Sequence, residues 1–147
     1  MNVPPIHPVR MSVFAEPACL PIVRSAVEKL CELANMPADG TGDVAVAVDE
    51  AVGNIIRHAY ADTPGGTINI SLAIRQVCGQ PRLVIRLRDF GRGGDPKRFR
   101  SRDLSLVRPG GLGMHIMHQC MDSVRYQKAR GAGTVLVMTR CLNGVTR

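Results

Sequence analysis

The stretch DEAVGNIIRHAY, residues 49–60, lies in an apolar helical pattern and carries two polar residues one turn apart. Glu50 and Asn54 are four positions apart, so their side chains lie on the same face of a helix. An amide oxygen is a suitable ligand for Mg²⁺, and a carboxylate one turn away can act as a general base. Two polar residues on a helix are more often simply solvent-facing, so the pattern needs support from the rest of the chain.

The composition is that of one globular domain. The chain has 147 residues, of which 45% are hydrophobic, so it is long enough to bury a core. Its five cysteines are widely spaced and form no CxxC pair, which argues against a disulfide framework or a zinc site and favours the reducing cytoplasm. The start has no apolar signal region and no stretch approaches membrane-spanning length, so we expect a soluble cytoplasmic protein.

The net charge of +7 is unevenly distributed along the chain. Residues 1–81 hold five basic and eight acidic side chains, whereas residues 82–108 hold nine basic and three acidic ones, a balance of +6. Such a segment favours an anionic partner, whether phosphate, nucleic acid or an acidic protein, although a merely solvated basic face is an equal alternative. Only 3% of the residues are aromatic, which leaves few stacking platforms for single-stranded nucleic acid.

The hydrophobic periodicity predicts a strand, two helices, two strands, a long loop, a helix and two strands. Residues 1–10 are expected to form a flexible arm and residues 11–147 a single domain. The predicted bounds are a strand over 11–15, a helix from Pro17 to about Asn35, a helix from Gly42–Asp43 to about His58, strands over 67–77 and 82–89 joined by a CGQP turn, a helix over 112–121, and strands over 123–128 and 134–141. Grouped helices beside runs of antiparallel strands indicate an α+β fold with the helices on one face of a sheet.

The motif DFGRGG, residues 89–94, follows directly on a predicted apolar strand. The carboxylate of Asp89 can accept a hydrogen bond from an exocyclic amine, and Gly91 and Gly93 let a ligand lie against bare backbone. Asp-Gly clusters after strands are more often plain turns, so this motif alone is weak evidence for a ligand site.

A second glycine motif, GGLG at residues 110–113, opens the third predicted helix. Free N–H groups and the helix dipole attract phosphate at such a position, although a flexible hinge is about as good an explanation. The loop before it, residues 90–110, is rich in Gly, Pro and Arg. A loop of this length inside a compact domain is more often a functional lid than slack.

The ordered set of motifs, completed by Gly133-Thr134 at the start of the last strand, resembles the GHKL ATPases, whose nucleotide pocket is built from N, G1, G2 and G3 boxes. The closer likeness is to the anti-sigma factor serine/threonine kinases. The matching stretches are DEAVGNIIRHAY, DFGRGG, GGLGMHIMHQCMDSVRY and GTVLVMTR, and the likeness covers roughly residues 11–141. It implies a two-layer α/β sandwich, with helices on one face of a mixed, mainly antiparallel sheet and an ATP lid at about residues 91–110.

The resemblance also implies a role for each motif residue. Glu50 would be the general base toward a serine hydroxyl, and Asn54 would coordinate Mg²⁺ beside the bound ATP. Asp89 would hold the adenine amino group. The other expected nucleotide contacts are Gly91, Gly93, Gly111, Gly113 and Thr134. The basic lid offers further phosphate contacts in Lys97, Arg98, Arg100, Arg102 and Arg108.

Kinases of this family phosphorylate a serine on an anti-anti-sigma protein of the STAS fold and also bind a sigma factor, so that phosphorylation switches partners. Arg24 on the first helix is a docking candidate, because the family docks partners in that region. Members commonly dimerise, so the resemblance leaves a homodimer open. No direct nucleic-acid binding and no membrane are expected. Two alternatives remain: a non-catalytic partner-binding regulator of the same fold with nucleotide as a structural ligand, and a basic nucleic-acid binder supported only by the charge distribution.

Overall fold

The computed structural model describes residues 6, 8–61, 64–91 and 112–143. The predicted order of elements is confirmed, and most element ends lie within two residues of their predicted positions. The elements are β1 Val9–Phe14, α1 Cys19–Leu33, α2 Ala38–Asn54 continued by a π-helical turn Ile55–Ala59, β2 Thr67–Val77, β3 Gln80–Asp89, α3 Leu112–Cys120, β4 Ser123–Lys128 and β5 Thr134–Cys141. In the part of the chain so described, no helix is long and apolar enough to cross a membrane.

The start of α2 was predicted wrongly. The helix begins at Ala38, four residues before the predicted start, so Gly40 and Gly42 lie inside its first turns. Glycine lowers helix propensity, but α2 is buried along one face from Val44 onward, and the packing of that face outweighs the local cost. The turn is closed at Pro37, whose carbonyl accepts a hydrogen bond from the Thr41 backbone N–H at 3.0 Å.

The five strands form one sheet in the order β1-β2-β3-β5-β4, and all four pairings are antiparallel. The expectation of a mixed sheet is therefore wrong for the described strands, whereas the two-layer α+β sandwich is confirmed. β3 and β4 run in the same direction, but they do not pair with each other. β5 lies between them and is antiparallel to both, so no parallel pairing forms among these strands.

The core lies between the helices and one face of the sheet. Alternate residues of the two longest strands face it, which is the period-two pattern of a half-buried sheet. The largest fully buried strand residues are Ile68, Ile70, Leu72 and Ile74 of β2 and Leu83, Ile85 and Leu87 of β3. Met114, Met117 and Met121 are at most 5% exposed and belong to this core.

The β2–β3 hairpin turns at Cys78 and Gly79, whose φ angles of 51° and 74° are both positive. Two positive φ values in a two-residue loop are typical of the turn whose twist matches antiparallel strands. The predicted turn is confirmed, although Gln80 and Pro81 belong to β3. Asp89 then lies at the far end of β3, where the hairpin register places it opposite Ile68 of β2.

Candidate functional site

Asp89 is buried where the end of β3 lies beside the start of β5. Its side chain is 1% exposed, yet it is a carboxylate. Oδ1 accepts a hydrogen bond from the Gly91 backbone N–H at 3.0 Å, and Oδ2 accepts one from the Thr134 backbone N–H at 3.3 Å. The Thr134 hydroxyl also donates to Oδ2. The two residues that were expected at the adenine are therefore in direct contact, 45 positions apart in the chain.

Two glycines let the backbone approach closely around this carboxylate. A Cβ on Gly91 would stand 2.7 Å from the carbonyl carbon of Ala59, and closer still to the carbonyl oxygen. A Cβ on Gly133 would stand 2.7 Å from the carbonyl carbon of Asp89 and 2.8 Å from its Oδ1, at a φ of +87°. Distances below 3 Å are essentially never seen for real Cβ atoms. From the sequence, Gly133 is predicted only to open the last strand.

The π-helical turn after α2 carries the backbone that Gly91 meets. The Tyr60 backbone N–H bonds to the Ile55 carbonyl at 3.2 Å, the five-residue spacing of a π turn. The Tyr60 hydroxyl donates to the Thr67 carbonyl at 2.6 Å and accepts from the Phe90 N–H at 2.8 Å. Tyr60 therefore ties this turn to the start of β2 and to the residue that follows Asp89. π turns inside helices are frequently found at functional sites.

Glu50 and Asn54 share one face of α2, and the start of α3 lies against that face. Asn54 is 9% exposed and Glu50 is half-buried, so the pair is not a solvated stripe. A Cβ on Gly113 would stand 2.6 Å from Oε2 of Glu50 and 3.7 Å from Nδ2 of Asn54. The predicted helix start and the predicted base and metal ligand are therefore neighbours.

Two cavities meet at Asn54 and His58, which line both. The cavity on the Asp89 side has a volume of about 40 Å³, close to that of one or two waters. The cavity on the Glu50 side measures about 310 Å³. The first is also lined by Ile55, Ala59, Asp89, Tyr126 and Thr134, the second by Glu50, Arg57, Leu112, Gly113 and Ile116. The narrow cavity must widen before it can hold a nucleotide base.

The widest of the three cavities lies elsewhere, on the face of the sheet away from the helices. It has a volume of about 430 Å³ and lies between Arg10 and Arg86, above polar residues of β1 and β2. Of the described motif residues, none lines it. Size alone therefore does not locate the site, and the buried polar groups around Asn54 and Asp89 are the better guide.

Tyr126 and Arg57 are site residues that the sequence analysis missed. The Tyr126 side chain hydrogen-bonds with that of Asn54, and burial together with the charge of Asp89 raises the pKa of its phenol above the usual range. Nη2 of Arg57 donates to Oδ1 of Asn54 at 3.0 Å. The sequence offered one signal for each residue. Arg57 is a basic residue three positions after Asn54, and Tyr126 is an aromatic residue at an inward-facing strand position. Neither signal indicates where the side chain points.

Several predicted residues fall outside the described residues. They are Gly93, Gly111 and the five basic lid residues Lys97, Arg98, Arg100, Arg102 and Arg108. Within the described residues no group of three or more His, Cys, Asp or Glu side chains could hold a metal ion. A lone amide oxygen beside a carboxylate suits Mg²⁺, which keeps several waters and takes ligands from substrate phosphates.

Comparison with known proteins identifies the family. A family model described as a histidine kinase-like ATPase domain matches residues 13–140. The chain belongs to this family. The predicted resemblance to the GHKL ATPases is thereby confirmed.

Relatives of this histidine kinase-like ATPase domain include proteins named serine-protein kinase RsbW. Those of Bacillus velezensis and Bacillus subtilis are each 29% identical over 145 residues, which is 92% of this chain and 86% of theirs. That of Halalkalibacterium halodurans is 29% identical over 142 residues, 91% of this chain and 83% of its own. The expected likeness to protein serine kinases is confirmed by these names.

A crystal structure of the RsbU and RsbW domains of Rv1364c from Mycobacterium tuberculosis has the same fold. The TM-score is 0.62 at 18% identity, covering 92% of this chain. The present chain spans 33% of that longer chain. At this identity the likeness supports the architecture alone.

Proposed function

We propose that this chain is an ATP-dependent protein serine kinase of the anti-sigma type, which transfers the γ-phosphoryl group of Mg-ATP to a serine of a STAS-type anti-anti-sigma protein. The observation that carries the proposal is the pairing of two polar centres within one histidine kinase-like ATPase fold. Buried Asp89 lies with Thr134 at one end, Glu50 lies at the other, and Asn54 lines both cavities between them. The serine-kinase names of the relatives support the choice of substrate class.

The Asp89 end is assigned to the adenine. A buried carboxylate is costly to leave without hydrogen-bond donors, and the donors present come from Gly91 and Thr134 on its two flanks. Oδ2 already accepts from both the N–H and the hydroxyl of Thr134, so the second lone-pair direction of Oδ1 is the one left for a further donor. An exocyclic amine would supply that donor, and Gly91 lets the chain after β3 lie against Ala59 beside the carboxylate. Gly93 is assigned to the same part of the site.

The Glu50 end is assigned to the phosphates. The Asn54 amide oxygen would hold Mg²⁺, which would neutralise phosphate charge when bound. Gly113 lies at the start of α3, where backbone N–H groups and the helix dipole favour an anion. Gly111 and the basic lid residues extend this assignment along the chain.

Glu50 is assigned as the general base. Its carboxylate lies over Gly113, beside the assigned phosphates and half open to solvent, so an incoming serine can reach it. It would take the proton of the serine hydroxyl as that oxygen bonds to the γ-phosphorus. The bond from the γ-phosphorus to the bridging oxygen breaks, and its electron pair leaves with ADP. Positioning and charge neutralisation provide most of the catalysis in such transfers.

The partners follow from the same proposal. An anti-anti-sigma protein would be the substrate, and a sigma factor would bind the kinase when that protein is not bound. Phosphorylation of the anti-anti-sigma protein would exchange one partner for the other. Arg24 is exposed on α1 and forms an ion pair with Asp49, the neighbour of Glu50, which puts the docking candidate next to the catalytic helix. A homodimer is compatible with these assignments. All five cysteines are free thiols, which supports a cytoplasmic location.

The test is phosphotransfer by Glu50→Gln. The variant should bind Mg-ATP as wild type does but phosphorylate a STAS-type protein at least about 100-fold more slowly, the usual size of a general-base contribution. Asp39→Asn, a change of the same kind at an exposed position in the first turn of α2, should leave the rate unchanged. An unchanged rate in Glu50→Gln would exclude Glu50 as the base. Binding without any transfer by wild type would favour the non-catalytic regulator.

A further inference from the structure

Arg57 is the residue whose contact goes beyond these assignments. It lies one turn after Asn54, within the π-helical turn, and its side chain is exposed overall. Instead of extending into solvent, the guanidinium folds back along the helix. A Cβ on Gly53 would stand 2.9 Å from Nη1, and Nη2 donates to Oδ1 of Asn54 at 3.0 Å. Arg57 therefore bonds the oxygen that the proposed function gives to Mg²⁺.

Two cations cannot share that oxygen at low cost. Mg²⁺ binds oxygen at about 2.1 Å, so a metal on Oδ1 and a guanidinium nitrogen at 3.0 Å would be close neighbours. Their repulsion is large in a partly buried site, because the effective dielectric constant there is well below that of water. The Asn54 side chain also hydrogen-bonds with the Tyr126 phenol, which is neutral and does not repel a metal ion.

The position of Arg57 in the cavity shows where a displaced guanidinium would go. Arg57 lines the 310 Å³ cavity together with Glu50 and Gly113, on the side assigned to the phosphates. A guanidinium released from Asn54 can turn to water at the mouth of this cavity, because Arg57 is exposed. The exchange leaves no buried polar atom unpaired, because Mg²⁺ takes the place of the guanidinium at the amide oxygen.

We propose that Arg57 is a placeholder for the metal: it holds the Asn54 amide oxygen in the nucleotide-free protein and yields it to Mg²⁺ when the metal–nucleotide complex binds. This inference rests on the proposed function. While the site is empty, the guanidinium satisfies the buried amide oxygen and fixes the Asn54 rotamer. The consequence is a competition, since Mg²⁺ must displace Arg57 and binds more weakly than it would at a free amide.

The test is the Mg²⁺ dependence of ADP binding, measured by calorimetry at fixed ADP with increasing Mg²⁺. Arg57→Met keeps the length of the stem and removes the charge and the donors. The Mg²⁺ concentration at half effect should fall about fivefold in this variant, which corresponds to about 1 kcal/mol, the size of one hydrogen bond. Arg75→Met removes an exposed arginine of β2 and should leave the half-effect concentration unchanged.

An unchanged or higher half-effect concentration in Arg57→Met would overturn the inference, because the guanidinium would then not compete with the metal. Arg57 is exposed, so the variant should fold, and its melting temperature should fall by only a few degrees, as the loss of one hydrogen bond to Asn54 implies. Wild-type protein that binds no ADP at any Mg²⁺ concentration would overturn the proposed function itself. The two failures are therefore distinct, since only the second removes binding by wild type.

Discussion

Gly133→Ala should destabilise the protein far more than the same change two residues earlier. Gly131 and Gly133 both have positive φ angles, +81° and +87°. An added Cβ at Gly131 meets nothing within 4 Å, whereas at Gly133 it would stand 2.7 Å from the carbonyl carbon of Asp89. The pair therefore separates backbone strain, which both variants have, from a steric clash that only one has.

The expected magnitudes follow from these distances. A left-handed backbone costs an alanine roughly 1–2 kcal/mol, and the loss of glycine's freedom in the unfolded chain returns about 0.4–1 kcal/mol. Gly131→Ala should therefore lose about 1 kcal/mol. At Gly133 the contact is about 0.7 Å shorter than the 3.4 Å of ordinary contact, and the obstacle is the main chain of β3. Overpacking of this kind costs up to about 3 kcal/mol more.

Urea unfolding measures the difference. Because the slope for a small protein is about 1–3 kcal/mol per molar urea, the midpoint of Gly133→Ala should lie about 1 M or more below that of Gly131→Ala, with the slope unchanged. Gly133→Ala should also bind Mg-ADP more weakly, since the clash displaces Asp89. Equal midpoints for the two variants would refute the close approach of β5 to Asp89, and with it the geometry of the adenine end.

Three further predictions concern other contacts. Tyr126→Phe loses the hydroxyl bond to the amide that ends α2, and its free energy of unfolding should fall by about 1 kcal/mol in urea titration. Burial raises the pKa of the Cys31 thiol to about 11, so little of the reactive thiolate forms at pH 8. Iodoacetamide should therefore alkylate exposed Cys78 many times faster than Cys31, and mass spectrometry measures the two rates. Arg140 links β5 to Asp43 of α2 at 2.9 Å, and Arg140→Met should cost about 1–2 kcal/mol in urea.

Each of these outcomes has a simple contradiction. Unchanged stability in Tyr126→Phe would mean that the phenol makes no net bond in the folded state. Alkylation of Cys31 at a rate like that of Cys78, in folded protein, would contradict its burial. Arg125→Met, at an exposed position on β4, should stay within about 0.5 kcal/mol of wild type. A loss there as large as in Arg140→Met would show that the helix–sheet bridge is not the cause.

The sequence allowed the order of elements and the ends of β4 and β5 to be predicted, because alternating strands between turn residues give a strong local signal. The start of α2 was predicted wrongly because the local signal there is misleading. Gly40 and Gly42 are locally typical of a break, and the helix there depends on the packing of the buried face of α2, which begins at Val44. The sheet is antiparallel throughout its described strands because β5 lies between β3 and β4, and no local sequence pattern specifies that position.

The site shows the same limit. Glu50, Asn54 and Asp89 could be predicted as site residues because each belongs to a recognisable stretch of sequence. The contacts of Arg57 and Tyr126 with Asn54 depend on rotamers and on the register of β4, which are tertiary properties. The need for glycine at position 133 likewise arises from a neighbour on another strand, the Asp89 main chain.

The most direct measurement is calorimetric titration of wild type and Asp89→Asn with Mg-ADP. Wild type should bind saturably, and Asp89→Asn should bind at least about 10-fold more weakly, because a hydrogen bond to a charged acceptor is worth roughly 1.5–3 kcal/mol. Asp39→Asn, at an exposed carboxylate in the first turn of α2, should bind as wild type does. Absence of binding by folded wild type, or equal binding by folded Asp89→Asn, would contradict an adenine nucleotide site built on Asp89.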